Sequence, residues 1–93
     1  MNYTVQLTDK ASDGLRKLAL NEPKAYQKAL KLIGELYSTP KTGIGHPEPL
    51  KGLPQDRWSR QITKKHRLVY QIREAEVIVL VLTAYGHSLV VNL

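Results

Sequence analysis

At 93 residues the chain has room for one domain, and 42% hydrophobic residues suffice for one folded core. It holds no cysteine, which excludes a disulfide framework, a thiolate metal site and a cysteine nucleophile. Fourteen Lys and Arg against eight Asp and Glu give a net charge of +6 and a pI near 9.7, a balance that favours polyanionic partners without naming one.

The basic excess is uneven. Residues 1–40 hold six basic and four acidic side chains (+2), and residues 41–93 hold eight and four (+4), so the second half is expected to face nucleic acid. The first nine residues lack the basic start and apolar run of a signal peptide, and no stretch approaches the roughly 18 apolar residues of a membrane span. A cytoplasmic protein with no membrane partner is expected.

In chain order, Tyr3, Val5 and Leu7 alternate with Thr4 and Gln6, the period of a half-buried strand. Thr8 or Asp9 can cap a helix whose inner face is Ala11, Leu15, Leu18 and Ala19, with Gly14 as a weak point. Asn21 is placed to cap a second helix opening on Glu22-Pro23, with Tyr26, Ala29, Leu30, Ile33, Leu36 and Tyr37 as its apolar stripe. Lys24, Lys28 and Lys31 lie opposite, where a solvated face and a nucleic-acid contact are both open readings. The helix must end by Thr39-Pro40, because proline pushes the preceding residue out of helical geometry. Three glycines and two prolines between Lys41 and Leu53 make that stretch a loop.

Trp58 to Ile62, Arg67 to Arg73 and Val77 to Tyr85 then read as three strands of an antiparallel meander, the last apolar on both faces. The whole is an α+β domain of order β-α-α-β-β-β spanning 1–93, two helices on a mostly antiparallel sheet, with 89–93 as an apolar tail.

There is no glycine-rich phosphate cradle after a strand and no metal-spaced His and carboxylate cluster, so no cofactor is expected. RNA cleavage needs neither, since the substrate brings its own nucleophile, the 2′-hydroxyl. It needs a base, an acid and cations around the developing phosphorane charge. Glu48, stiffened between Pro47 and Pro49, can serve as a positioned base or be a solvated loop carboxylate. Arg67 alternates with Leu68, Tyr70 and Ile72, so it points away from the core, where it can bind an anion or only cover the surface. Arg60 shares parity with Trp58 and Ile62, which lays it across the apolar face unless a bulge intervenes. Of three histidines, His46 reads as a surface residue and His66 as part of a turn. His87, after Ala84-Tyr85-Gly86, stands where the sheet end can bring it beside Arg67.

The strings HPEPLKGLPQDRWSRQITKKHRLVYQI and AYGHS, in this order and spacing, resemble the YoeB/Txe toxins of the RelE superfamily, most strongly over Pro47 to Tyr70 and the AYGH ending. The resemblance implies a microbial-RNase fold and metal-independent cleavage of messenger RNA on the ribosome, with a YefM-class antitoxin as inhibitory partner and a homodimer left open. It implies Glu48 as general base, His87 as general acid and Arg67 as the cation on the transition state. Lys51, Arg60, Lys64, Lys65 and Ser88 are expected to contact RNA. Two positions depart from the pattern. Gln61 stands where members commonly carry a second arginine, and Ser88 where they carry a tyrosine next to the catalytic histidine. Serine cannot stack on a base, which leaves full and reduced activity as open readings. A ParE-like gyrase inhibitor and a catalytically impaired toxin that only binds its antitoxin are the alternatives.

Overall fold

A computed structural model of the chain describes residues 2–52 and 56–86. Strand β1 (Thr4–Leu7) leads into helices α1 (Asp9–Asn21) and α2 (Pro23–Leu36). A two-residue strand β2 (Glu48–Pro49) follows, then β3 (Arg57–Gln61), β4 (Arg67–Arg73), a single 3-10 turn over Glu74–Glu76, and β5 (Ile78–Thr83). The five strands form one sheet in the order β1-β5-β4-β3-β2. Pairing is antiparallel except between β1 and β5, so the expected α+β architecture is present.

The helices begin where capping chemistry dictates. The Thr8 hydroxyl accepts from Ala11 N at 3.1 Å and donates to Leu82 O at 2.8 Å, so one side chain caps α1 and ties it to β5. Asn21 is not the expected cap; it is the last residue of α1, and Glu22 occupies the junction, where Pro23 begins α2 without needing an N–H donor. The buried face of α2 is Ala25, Ala29, Leu32 and Leu36, rotated from the expected stripe so that Leu30 and Tyr37 are exposed. Ala19 is likewise exposed on α1.

Both helices cover one face of the sheet, meeting Trp58, Ile62, Leu68, Tyr70, Ile72, Val79, Val81 and Ala84. Between Val69 and Tyr70 the β4–β5 register slips from Thr83 to Val81, which leaves Leu82 as an extra residue. Leu82 packs with Val69 on the opposite face, where Leu50 and Leu80 flank them, so β5 is apolar on both sides as its sequence requires.

Gly14 lies where α1 passes closest to the end of the sheet. A Cβ there would sit 2.9 Å from Tyr85 Cβ and 3.1 Å from Tyr85 N. Overpacking of this kind costs about 1–3 kcal/mol. Gly14→Val should therefore lower the urea midpoint by a corresponding amount, whereas a midpoint equal to the parent's would show that α1 can move away freely.

Candidate active site

The sheet face without helices carries the polar residues of β3 and β4. Alternation sends Arg57, Ser59 and Gln61 of β3, and Arg67, Val69 and Gln71 of β4, to this face. The stretch from Lys41 to Leu53 is not wholly loop. Glu48 and Pro49 pair with Ser59 and Trp58 on the sheet edge, which proline tolerates because an edge strand leaves one row of donors unused. Gln61 N donating to Gly45 O at 2.7 Å and Leu50 N to Arg57 O at 2.8 Å hold the segment on either side.

This edge strand brings Glu48 onto the same face as Arg67. Glu48 Oε1 is 3.6 Å from Arg67 Nη1, with the carboxylate side chain 57% exposed and the arginine 22% exposed. An ion pair this open contributes roughly 0–1 kcal/mol to stability. Its consequence is placement, an accessible carboxylate beside a cation held on a strand. Ser59, directly across from Glu48, is fully buried, and its Oγ and the Arg67 Nε have no hydrogen-bond partner among the described residues. Neither orphan atom carries a sequence signal.

Arg67 also anchors the chain after β5, since its backbone N–H donates to Gly86 O at 2.9 Å. Gly86 has φ +86°, which residues with a Cβ rarely adopt. His87 and Ser88, expected to act as acid and as an RNA contact, lie outside the described residues, as does the 89–93 tail. Lys51, Lys64 and Lys65 are exposed, the last two on the turn that leads directly into Arg67. His46 is exposed in its loop.

Arg60 does not fit the expected RNA contact. Its side chain is 0% exposed, and all five of its N–H donors are taken. Nε donates to the Tyr70 hydroxyl (3.1 Å), Nη1 to Glu35 Oε1 (2.6 Å) and Ile44 O (3.3 Å), and Nη2 to Thr39 O (2.7 Å) and Thr42 O (2.9 Å). With every donor used and no surface exposed, this guanidinium has nothing to offer a phosphate; it organises the loop that carries Glu48. Tyr70 completes the hub by donating to Pro40 O at 2.7 Å. Burial raises the Tyr70 pKa, against the lowering effect of the Arg60 hydrogen bond.

His66 is buried as well, with Nε2 2.7 Å from Glu22 Oε2 and Nδ1 accepting from Gly86 N at 2.9 Å. Its backbone carbonyl accepts from Ile62 and Thr63 N, so it does stabilise its turn. The link to Glu22 and Gly86 has no local signal in the sequence.

Comparison with known proteins gives a consistent assignment. A family described as the YoeB-like toxin of bacterial type II toxin-antitoxin systems matches residues 7–86. Toxin YoeB of Mycobacterium bovis is 46% identical over 57 residues, covering 61% of this chain and 67% of that protein. A solved YoeB/ParE toxin from Agrobacterium tumefaciens superposes with a TM-score of 0.83 at 30% identity, covering 91% of this chain and 99% of that one. The YoeB–YefM complex from Staphylococcus aureus contains a chain similar in fold, with a TM-score of 0.76 at 24% identity, covering 95% and 100%.

Proposed function

The chain belongs to the YoeB-like toxin family of bacterial type II toxin-antitoxin systems, and from that membership we propose that it is a ribosome-dependent endoribonuclease that cleaves messenger RNA without a metal ion. The observation that carries the proposal is the Glu48–Arg67 pair on the open sheet face, with Gly86, the residue before His87, bonded to the Arg67 backbone. Glu48 takes the proton from a 2′-hydroxyl as its oxygen attacks the adjacent phosphorus. The Arg67 guanidinium stabilises the negative charge of the phosphorane, and His87 protonates the departing 5′-oxygen. The products are a 2′,3′-cyclic phosphate and a 5′-hydroxyl. Lys51, Lys64 and Lys65 supply exposed positive charge for the RNA backbone. The inhibitory partner is an antitoxin of the YefM class, and the site of action is the cytoplasm.

Purified protein added to a translation extract, with 5′ ends mapped along a reporter message, tests the reading. Cuts within the message that need ribosomes are expected. Intact message together with inhibited DNA supercoiling would instead make the chain a gyrase-directed toxin on the same scaffold. Ser88 in place of tyrosine removes a stacking contact worth about 1–3 kcal/mol per base. Ser88→Tyr should therefore raise turnover about tenfold, and an unchanged rate would show that the serine costs nothing.

A further inference from the structure

We propose that His66 is a positioning residue that, held by Glu22, clamps Gly86 against the start of β4, beside Arg67. The inference rests on the ribonuclease reading above for its functional consequence, and on geometry alone for the clamp.

Gly86 is held from two sides by neighbours in sequence. Its N–H donates to His66 Nδ1 at 2.9 Å, and its carbonyl accepts from Arg67 N at 2.9 Å. Both polar groups of this residue are therefore tied to Arg67, the first residue of β4, and to His66 just before it, and its φ is +86°.

The imidazole is itself held in one orientation. Because Nδ1 accepts from a backbone N–H, the ring proton sits on Nε2 and donates to Glu22 Oε2, 2.7 Å away. Glu22 lies at the α1–α2 junction, 44 positions away in sequence, and its side chain is 31% exposed against 5% for the histidine. The Tyr85 ring closes the remaining side, 4.5 Å from the imidazole at 37°, and Lys17 lies 5.2 Å over that same ring. A carboxylate orienting a histidine through one nitrogen, so that the other nitrogen holds a target, is the arrangement that second-layer groups use to fix the tautomer of a working imidazole. Here the target is a backbone amide next to the expected acid, and the helix junction is thereby coupled to the reacting end of the sheet.

Two substitutions separate the clamp from mere packing. His66→Leu keeps bulk and removes the acceptor, and His66→Asn restores an acceptor oxygen near the place of Nδ1. Hydrogen exchange at the Gly86 amide should be at least tenfold faster in His66→Leu than in the parent and should slow again in His66→Asn. Small misplacements of reacting groups cost up to about 10²-fold in rate, so turnover of ribosome-bound message should fall toward that extent in His66→Leu with KM unchanged and recover in part in His66→Asn. Unchanged Gly86 exchange in a folded His66→Leu protein overturns the clamp, as does equal loss of turnover in the two variants. An unsubstituted protein that cuts no message while its Gly86 amide behaves as expected would sink the ribonuclease reading and leave the clamp standing.

Discussion

Arg60→Leu should leave most of the protein unfolded. Breaking a buried ion pair costs about 3–5 kcal/mol, toward the lower end here because Glu35 is 31% exposed, while a native domain has a total stability of only about 5–15 kcal/mol. The loss here reaches past the Glu35 pair. The carbonyls of Thr39, Thr42 and Ile44 and the Tyr70 hydroxyl all lose a donor at once. Each polar group left buried and unpaired adds to the cost. Lysine is not a substitute, because three donors on a point-like ammonium cannot serve five acceptors arranged around a plane. Urea unfolding followed by circular dichroism measures the effect. A variant within 1 kcal/mol of the parent, roughly the contribution of a solvent-exposed pair, would show that the hub is not structural.

Glu48→Gln should do the opposite, sparing the fold and removing the activity. The carboxylate is more than half exposed, and its ion pair with Arg67 is long at 3.6 Å, so the urea midpoint should stay within experimental error. Loss of the proposed general base should lower message cleavage by about 10²–10⁴-fold, since that is what a positioned acid or base contributes. Affinity for the antitoxin should be unaffected by the same change if the carboxylate serves chemistry and not assembly. A Glu48→Gln protein that cleaves at the parental rate would remove this residue from the mechanism.

These two residues also show what the sequence could reveal. Glu48 and Arg67 became candidates through the resemblance; what the residues alone gave was the outward parity of Arg67 along a strand whose observed bounds, Arg67–Arg73, equal those read from its pattern. Parity alone also placed Arg60 on the apolar side. Its assignment to RNA came with the resemblance, and charge does not say which side of a sheet a guanidinium occupies. The acceptors that make its burial tolerable come from α2, from the loop that follows it and from β4, and no local pattern announces such a set.

The same physics explains the other differences. The strand at Glu48–Pro49 escaped because proline reads as a strand breaker, whereas a two-residue edge pairing asks for little donor capacity. The parallel pairing of β1 with β5 joins Thr4 to Ile78, a separation at which periodicity gives no information about neighbours. The α2 stripe was read one step around the helix because Leu30 and Tyr37 are apolar in type yet lie outside the contact with the sheet. The Glu22–His66–Gly86 chain likewise draws on the helix junction, a turn and the end of the sheet, and each residue looks ordinary where it stands.

The chemistry of the cut ends tests the central claim most directly. Fragments released from ribosome-bound message should carry 2′,3′-cyclic phosphates and 5′-hydroxyls by mass spectrometry, and should vanish with Glu48→Gln. Fragments carrying 3′-hydroxyls and 5′-phosphates would contradict attack by the substrate's own 2′-hydroxyl, and with it the roles given to Glu48, Arg67 and His87.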